Sequence, residues 1–539
     1  MTTSLPGYVA LALLTVLTLS AIVRPQPGAW WQGRASFGVL LGLTIITAHA
    51  PTLNFRQELT NPDESQLLAG ALTLRQSFAP WRSVDLSTAG PVSVLPLLII
   101  PASFPGARWC AALCSTFTIL LSWLALTGVR DNRLARIVAL PVATFFVFMQ
   151  GIELFQFSTE HMAVLLLAAA ACIWLTTTAG GETPLRARPA LALGFCLGAA
   201  VMAKLQSAPC AAWLAATLGG LVLIDGRVAG PRRAAVFALL ATGSLGIPLC
   251  FVALAAAQGV LPDMVHSYWL NNLHYVSSME GGATGYQPSL VWGLNYLLKP
   301  VGVILLGCFF TLRSFSPAER RTAFVTVGLL ASAIFAVVIP GRGFGHYWLF
   351  VLGPVLLSLG AGLAPAWRWF AALRPDSPAL QRWAMTGLVP LLLVLPVAHR
   401  LKSSRDEALA AQIAGIRPVQ TAGERLHALA NPGDALTVWG WRPELHAYSG
   451  LPQGTRDAHT QWQIQAIPQR DYYRRRFLHD LAVTRPRFIA DAVGPRGFAF
   501  TERAKAGHEV FPAFQKLIER DYDYLGETDG IRLYSRHAN

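Results

Sequence analysis

Long apolar runs constrain the fold of this chain more than any other feature of its 539 residues. A helix of about 20 predominantly apolar residues crosses the hydrocarbon core of a bilayer. The candidate runs are Leu5–Val23, Ser36–Leu53, Ala107–Gly128, Ile137–Glu153, Glu160–Thr178, Ala190–Ala203, Ser207–Ile224, Ala234–Ala256, Val291–Leu312, Thr322–Ile339, His346–Ala364 and Trp383–His399. The pattern predicts a polytopic α-helical membrane protein with about 12 transmembrane helices.

The composition agrees with a membrane protein. Only 13% of the residues are charged and 53% are hydrophobic, whereas soluble proteins carry about 25% charged residues. The net charge of +14 does not indicate nucleic-acid binding, because the Arg residues fall mostly in short loops between the runs. The 7 cysteines lie in or beside apolar runs without metal-ligand spacing. We therefore interpret them as small packing residues.

The charges of the loops predict which side of the membrane each loop faces. Short loops rich in Arg face the cytoplasm under the positive-inside rule. The basic loops contain Arg24, Arg34, Arg130, Arg133, Arg136, Arg186, Arg188, Arg227, Arg232, Arg233, Arg313, Arg320, Arg321, Arg368, Arg374 and Arg382. The opposite loops are residues 54–106, 154–159, 204–206, 257–290 and 340–345. These loops, the N-terminus and everything after His399 are therefore expected outside, with multi-pass insertion in a bacterial inner membrane.

Two apolar runs near the N-terminus, Leu5–Val23 and Pro91–Phe104, need separate interpretation. Residues 1–8 carry no Lys or Arg, so the first run is expected to be a retained span and not a cleaved signal peptide. The run Pro91–Phe104 is apolar but short and contains 3 prolines. If it spanned the membrane, the basic loop at Arg130 would face outside. The outer loop 54–106 is thus expected to carry two membrane-lying helices, Ser65–Gln76 and Val92–Phe104.

From residue 400 the sequence becomes polar and its elements alternate in type. A polar helix or linker is expected over Ser403–Ile416. The expected helices are Gly423–Ala430, Pro443–Tyr448, Arg470–Val483 and Phe511–Asp521, and the expected strands are Ala435–Gly440, Arg487–Asp491 and two paired edge strands, Tyr522–Leu525 and Ile531–Ser535. This alternation predicts a transmembrane domain over 1–399 and a small extracytoplasmic α/β domain over 400–539. Residues 400–539 contain no glycine-rich phosphate-binding motif, so no nucleotide site is indicated.

Two adjacent carboxylates in the first outer loop are the leading catalytic candidates. Asp63 and Glu64 follow Asn61 and Pro62 shortly after an apolar run. Charges beside lipid are expensive to keep and often functional. The structural alternative is a helix start, in which Asn61 caps the helix, Pro62 fills its first position and the acids favour its dipole. Both interpretations can hold together.

Further polar residues collect on the same predicted side. The candidates for substrate binding are Asp85, Glu160, His161, Lys204, Gln206, His266, Arg342, His346 and Tyr347. Structural roles remain open for some of them: Lys204 could extend to the membrane interface, Glu160 could stabilise a helix dipole and His346 could cap a helix. Their shared sidedness nevertheless brings acids and cations to one surface. Cations could stabilise a phosphate leaving group while a carboxylate deprotonates an acceptor.

This arrangement resembles the GT-C class of membrane glycosyltransferases, which use polyprenyl-phosphate sugars. Within it the chain looks most like protein-mannosyltransferase and aminoarabinose-transferase-like bacterial enzymes of the family 39 type. The resemblance rests on the acidic pair at Asn61–Glu64, Asp85 ahead of the Gly90–Pro91 turn, the segment Gly341–Tyr347 and the tail segment Asn431–Leu445. The chain departs from the pattern in its additional N-terminal span, Leu5–Val23.

The resemblance implies an inverting transfer of a sugar from a polyprenyl-phosphate donor to a lipid, glycan or protein acceptor. The first-loop acid would be the general base, and the match is to Asp63, ranked first, and Glu64. Lys204, Arg342 and His346 would contact the donor phosphate. Some members of the class bind a divalent metal through first-loop acids, but the sequence shows no ligand cluster that identifies one, and no cofactor is assigned.

Two other functional classes compete with this interpretation. A secondary transporter would share the number of spans, but transporters usually show two similar halves and polar sites near the membrane midplane. No internal repeat is evident here, and the polar residues lie at the predicted outer ends. A flippase-like assembly protein would handle the same lipid without requiring the paired acids.

Overall fold

The computed structural model describes residues 5–22, 33–53, 60–127, 132–148, 152–273, 297–340, 344–373, 376–377, 419–495, 497–528 and 530–537. Up to residue 373 the described chain is helical, with helices α1 Leu5–Ile22, α2 Arg34–Leu53, α3 Pro62–Leu74, α4 Leu95–Ile99, α5 Phe104–Thr127, α6 Asn132–Phe148, α7 Ile152–Phe155, α8 Thr159–Thr177, α9 Ala187–Ala203, α10 Ala208–Ile224, α11 Gly230–Ala257, α12 Leu261–Met264, α13 Lys299–Phe309, α14 Pro317–Val338 and α15 Leu349–Leu373. A π-helical turn, Val265–Leu270, follows α12.

Within the described residues, 6 helical segments are long and apolar enough to cross a membrane. They are Phe104–Thr127, Thr159–Thr177, Leu205–Ile224, Gly230–Ala257, Pro317–Val338 and Gly345–Leu373. The predicted helical membrane fold is therefore confirmed, while the number of 12 spans stays a prediction. The last predicted span, Trp383–His399, and the polar segment Ser403–Ile416 lie outside the described residues.

Close helix packing in this part depends on small residues. Helix α9 crosses α11 at Gly194, where an added Cβ would lie 2.4 Å from the carbonyl oxygen of Leu240. Membrane helices commonly use such small residues to bring two backbones together, because lipid gives no hydrophobic force between helices. Lys204 lies at the C-terminal end of α9.

The predicted run Ile137–Glu153 includes the described part of α6 up to Phe148 and the start of α7, which carries Glu153. Residues 149–151 lie outside the described residues. The predicted interfacial helix Val92–Phe104 is shorter than expected. A 3-10 turn, Pro91–Val94, leads into α4, which ends at Ile99. Proline disfavours helical geometry in the residue before it, and Ile100, ahead of Pro101, is extended with φ −83° and ψ 147°.

Residues 419–537 form a helix at 419–429, four strands and further helices. The helix at 419–429 is α16. The elements that follow are β1 Leu436–Trp439, α17 Glu444–Ser449, α18 Gln461–Ile464, α19 Arg470–Thr484, β2 Phe488–Asp491, α20 Arg503–Ala506, α21 Pro512–Asp521, β3 Tyr522–Thr528 and β4 Ile531–Arg536. The strand order is β1-β2-β4-β3. Strands β1 and β2 are parallel, and the other pairs are antiparallel.

This sheet buries both of its faces. Neighbouring side chains of one strand point to opposite faces, so Val438 packs in one apolar cluster and Trp439 in the other. The strands predicted at Tyr522–Leu525 and Ile531–Ser535 do pair. However, β4 lies between β2 and β3, so of these two strands only β3 is at an edge of the sheet, and β1 forms the other edge. The expectation of two edge strands is thus wrong for β4, because β2 pairs with its free side.

The C-terminal region packs directly on the loop region 60–106. The Gln453 N–H donates to Thr73 Oγ1 at 2.9 Å, and the Trp462 indole donates to Ser87 Oγ at 2.8 Å. The Tyr448 ring lies 5.4 Å from the Phe104 ring. Ala447 and Tyr448 of α17 also pack on an apolar cluster that includes residues of α3, the helix whose first turn carries the two candidate acids.

Candidate active site

The two candidate acids occupy the first turn of α3. Asn61 is extended and its side chain accepts the Asp63 N–H at 2.8 Å, while Pro62 occupies the first helical turn. This is a favourable cap, since it satisfies a backbone donor that no helical carbonyl reaches. The cap fixes the direction of both carboxylates, and the structure gives them different surroundings.

Glu64 is held in a buried ion pair. Its side chain is 0% exposed, its Oε2 lies 2.7 Å from Arg108 Nη2, and its Oε1 accepts the Phe157 N–H at 3.0 Å. Burial raises the pKa of Glu64 to about 7, although Arg108 and the Phe157 N–H both favour the charged form. The Glu64 carboxylate therefore has a structural partner on each oxygen and balances the charge of a buried guanidinium.

Asp63 lacks such partners. Its carboxylate makes no hydrogen bond or ion pair with any residue that the structure describes, and its side chain is partly exposed. The surrounding protein raises the pKa of Asp63 by desolvation; His346 and Lys204 oppose this, whereas Glu160 and Glu153 add to it. Asp63 is thus the acid of the pair that is open to a ligand, and it lies within the field of two cations.

Lys204 and His346 form a small charge network with the buried acid Glu160 and the partly exposed acid Glu153. Lys204 Nζ lies 3.4 Å from Glu160 Oε1 and donates to Thr88 Oγ1 at 3.5 Å. His346 places Nε2 at 3.9 Å from Glu160 Oε2 and Nδ1 at 3.5 Å from Glu153 Oε2. The network brings together the predicted residues Glu160, Lys204 and His346 beside Asp63.

The turn at Gly90 contacts the end of α9, where Lys204 lies. Lys204 ends α9 in an extended conformation, and its neighbour Ala203 accepts the Gly90 N–H at 2.9 Å. A Cβ on Gly90 would lie 1.9 Å from the carbonyl oxygen of Met202. Only glycine permits this approach. The Gly90 turn therefore ties the outer loop to the end of α9.

Glu153 is a site residue that the sequence prediction missed. It lies on α7, accepts the Gly345 N–H and contacts His346. An acid at the boundary between an apolar run and the outer loop 154–159 was a usable signal. It was overlooked because the run Ile137–Glu153 was treated as one continuous span.

Asp85 lies apart from Asp63, at the contact with the C-terminal region. Its Oδ2 is 2.7 Å from Arg476 Nη1, and its Oδ1 accepts the Ser87 N–H and the Ser267 hydroxyl. Arg476 also binds Asp457 at 2.7 Å. The Asp85 carboxylate is therefore engaged in a buried ion network, and its predicted role in substrate binding stays a prediction.

The remaining predicted residues are distributed around the network and not within it. His161 Nδ1 accepts the Ser158 N–H at 3.1 Å and completes a helix cap. Gln206 donates to the Ala336 carbonyl at 2.7 Å. Tyr347 packs edge-on against His346 at 4.9 Å, His266 stacks on Tyr472 at 4.3 Å, and Arg342 lies outside the described residues.

A separate group in the C-terminal sheet has metal-ligand geometry. Among the described residues, Asp491, His508 and Glu509 form the group whose ligand atoms all lie within 4.8 Å of one another. However, His508 Nδ1 is bonded to Asp491 at 2.7 Å and Glu509 pairs with Arg532. These contacts already engage oxygen atoms of both carboxylates. In the described part of the chain, no such group includes Asp63.

Comparisons with known proteins identify the fold. Neither known family models nor curated proteins match the chain. Two crystal structures of ArnT from Cupriavidus metallidurans do: one bound to undecaprenyl phosphate (14% identity, TM-score 0.55, covering 94% of this chain and 99% of that chain) and one in the apo state (14% identity, TM-score 0.53, covering 93% and 98%).

A weaker similarity connects the chain to an archaeal protein. The oligosaccharyltransferase AglB from Archaeoglobus fulgidus, in complex with an inhibitory peptide and a dolichol-phosphate, has 12% identity and a TM-score of 0.45, covering 98% of this chain and 74% of that chain. ArnT is an aminoarabinose transferase of the GT-C class, and its structure aligns with this chain over nearly its whole length. The resemblance inferred from the sequence is thereby confirmed: this chain has the fold of the GT-C glycosyltransferases.

Proposed function

We propose that this protein is an inverting glycosyltransferase that moves a sugar from a polyprenyl-phosphate donor to an acceptor at the outer face of the membrane. The observation that carries the proposal is the Asp63 carboxylate, which has no hydrogen-bond or ion-pair partner among the described residues and interacts electrostatically with Lys204 and His346. A base and a set of cations are what such a transfer requires. The related fold of ArnT, seen with undecaprenyl phosphate, supports a donor of that class.

The reaction is a single displacement at the anomeric carbon of the sugar. Asp63 removes the proton from an acceptor hydroxyl or amine, and the acceptor atom forms a bond to the anomeric carbon. The bond from that carbon to the phosphate oxygen breaks, and its electron pair leaves with the polyprenyl phosphate. The acceptor attacks opposite the leaving group, so the anomeric configuration inverts.

The cations act on the leaving phosphate. Lys204 carries a positive charge, and His346 contributes one when it is protonated. Glu160 is 0% exposed and lies between the two side chains, and Glu153 holds the other ring nitrogen of His346. These acids orient the cations, and a protonated His346 could donate to the phosphate oxygen as negative charge develops there. Arg342, matched by position, is proposed as a further phosphate ligand.

The acid pair divides its tasks in this proposal. Asp63 is the base, because its carboxylate is accessible and its raised pKa brings its basicity nearer to neutral pH. Glu64 has a structural task, because it binds Arg108 and accepts the Phe157 N–H. The side of the membrane on which this occurs rests on the loop charges and is part of the proposal.

A comparison of cells with and without the protein tests this function. Loss of the protein should cause one polyprenyl-phosphate sugar to accumulate and one envelope glycan, lipid or protein to lose that sugar. Wild-type protein should reverse both changes, and Asp63→Asn should reverse neither. Glu502→Gln, an exposed acid paired with Lys505, is the matched control. Unchanged lipid-linked sugars and unchanged acceptors would contradict the proposal.

A further inference from the structure

A segment of the C-terminal region covers the helix that carries Asp63. This segment, Trp439–Ser449, is called the roof and comprises the end of β1 and helix α17. Ala447 and Tyr448 of the roof pack on the apolar cluster that includes α3. His459, stacked on Trp441 of the roof at 5.0 Å, reaches Gln66 of α3 with Nε2 at 3.4 Å from Oε1. The roof is therefore part of the surroundings of the candidate site.

The roof holds several buried polar atoms that lack hydrogen-bond partners among the described residues. They include Glu444 Oε2, Trp441 Nε1 and His446 Nε2. Glu444 is 4% exposed. Leaving a buried polar group unsatisfied is unfavourable, more so for a carboxylate, and such groups in native proteins require an explanation. A ligand that supplies a hydrogen-bond donor to Glu444 and an acceptor to Trp441 would provide it.

The charges around Glu444 show which part of the site it adjoins. Burial raises the pKa of Glu444; Arg442 opposes the increase and the negative charge of Asp63 adds to it. Asp63 in turn lies within the fields of Lys204 and His346. Asp63 is thus bordered by cations from the membrane helices and by Glu444 from the roof.

This arrangement separates the two substrates. In an inverting displacement the nucleophile and the leaving group lie on opposite sides of the anomeric carbon. The leaving phosphate is drawn to Lys204 and His346, and a phosphate would be repelled by the Glu444 carboxylate. The nucleophile must approach Asp63, which removes its proton. Glu444 therefore lies on the side from which the acceptor comes.

We propose that the roof forms an acceptor subsite, in which Glu444 accepts a hydrogen bond from a hydroxyl or amine of the acceptor close to its nucleophilic atom. The Trp441 indole donates to an acceptor oxygen in the same subsite. The C-terminal region thereby selects the acceptor, while the membrane helices bind the donor. This inference rests on the proposed glycosyl transfer.

The test uses the full-length protein purified in lipid nanodiscs. The donor is undecaprenyl phosphate carrying a radiolabelled sugar, and the acceptor is the envelope fraction of cells that lack the protein. Initial rates are measured while either donor or acceptor is varied. Glu444→Gln keeps the size of the side chain and removes its charge, Glu444→Asp keeps the charge, and Glu502→Gln is the control for loss of an exposed acid in the same region.

Glu444→Gln should raise the acceptor concentration needed for half-maximal rate by about 10- to 100-fold, the range for a lost charged hydrogen bond. The donor concentration for half-maximal rate and the affinity for undecaprenyl phosphate should stay within about twofold of wild type, which also shows that the variant is folded. Glu444→Asp should give an intermediate effect. Acetylating the amines of the envelope fraction identifies the group that Glu444 binds. If acetylation abolishes the difference in acceptor dependence between wild type and Glu444→Gln, the group is an amine. If the difference remains, the group is a hydroxyl.

Three results would overturn the inference, and they differ in what else they affect. Wild-type acceptor dependence in Glu444→Gln removes the subsite and leaves the proposed function intact. A change confined to the donor dependence assigns Glu444 to the donor and likewise removes the acceptor subsite. Absence of transfer by the wild-type protein, with undecaprenyl phosphate bound, contradicts the proposed function and the subsite together.

Discussion

Substituting the two neighbouring acids separately should give opposite outcomes. Glu64→Gln keeps the shape of the side chain and an oxygen for the Phe157 N–H, but it removes the charge 2.7 Å from Arg108. Both side chains of that pair are at most 1% exposed. The guanidinium would then remain buried without the carboxylate that balances it.

The size of the effect follows from this geometry. Removing one member of a buried ion pair destabilises a protein by about 3–5 kcal/mol, because the other charge stays desolvated. Glu64→Gln should therefore lower the thermal unfolding temperature and the amount of protein in the membrane. The fraction that does fold should retain substantial transfer activity per molecule, since Asp63 is intact.

Asp63→Asn should behave in the opposite way. Asp63 is in no ion pair with a described residue, so its loss leaves no partner charge stranded as the loss of Glu64 does. A neutral amide at this position should therefore leave the stability unchanged. Loss of a general base lowers the rate about 10²- to 10⁴-fold. Transfer should therefore fall to near background in a protein with normal unfolding temperature.

Thermal unfolding in detergent and transfer per folded molecule are the two measurements required. A Glu64→Gln protein as stable as wild type but inactive would show that Glu64 is the base and refute this division of roles. Wild-type transfer by Asp63→Asn would refute it as directly. The exposed control Glu502→Gln should match wild type in both measurements.

Three further predictions concern the cations, the C-terminal contact and the orientation. The transfer rate should fall as the pH decreases through the pKa of Asp63, because the base must be ionised. Lys204→Met removes a positive charge that lowers the pKa of Asp63. The acidic limb of the pH–rate profile should therefore move to higher pH in this variant, and an unmoved limb would contradict the assignment. Asp85→Asn removes one carboxylate from Arg476 and should speed hydrogen exchange in residues 453–463 without affecting strand β2. Equal exchange in wild type and variant would contradict the role of Asp85 in holding the C-terminal region in place. A reporter fused after Arg405 should read extracytoplasmic, and a cytoplasmic signal would overturn the sidedness inferred from loop charges.

The local features of this fold were readable from the sequence. Apolar run length predicted the helices, and the order Asn61, Pro62, Asp63, Glu64 predicted the cap of α3, which the structure shows with a 2.8 Å hydrogen bond. Both signals arise from neighbouring residues and well-known geometry. Alternation of elements after residue 418 likewise located the strands, with ends that agree to within three residues.

Long-range pairing could not be read in the same way. Nothing near Glu64 in the sequence indicates that Arg108 and Phe157 hold it, so the two acids could not be distinguished. Glu444 lies in the segment Asn431–Leu445, which resembles the tail of GT-C enzymes, yet its proximity to Asp63 depends on how the C-terminal region packs on α3. The place of β4 inside the sheet is another property of tertiary pairing.

The central claim is that Asp63 promotes displacement of polyprenyl phosphate from its sugar. Purified protein in nanodiscs, supplied with undecaprenyl phosphate carrying a labelled sugar and with the envelope acceptor fraction, allows released undecaprenyl phosphate and glycosylated product to be counted together. The proposal predicts one undecaprenyl phosphate for each sugar transferred, inversion of the anomeric configuration, and neither product with Asp63→Asn. Transfer with retained configuration, or movement of the intact lipid-linked sugar across the bilayer without cleavage, would contradict it.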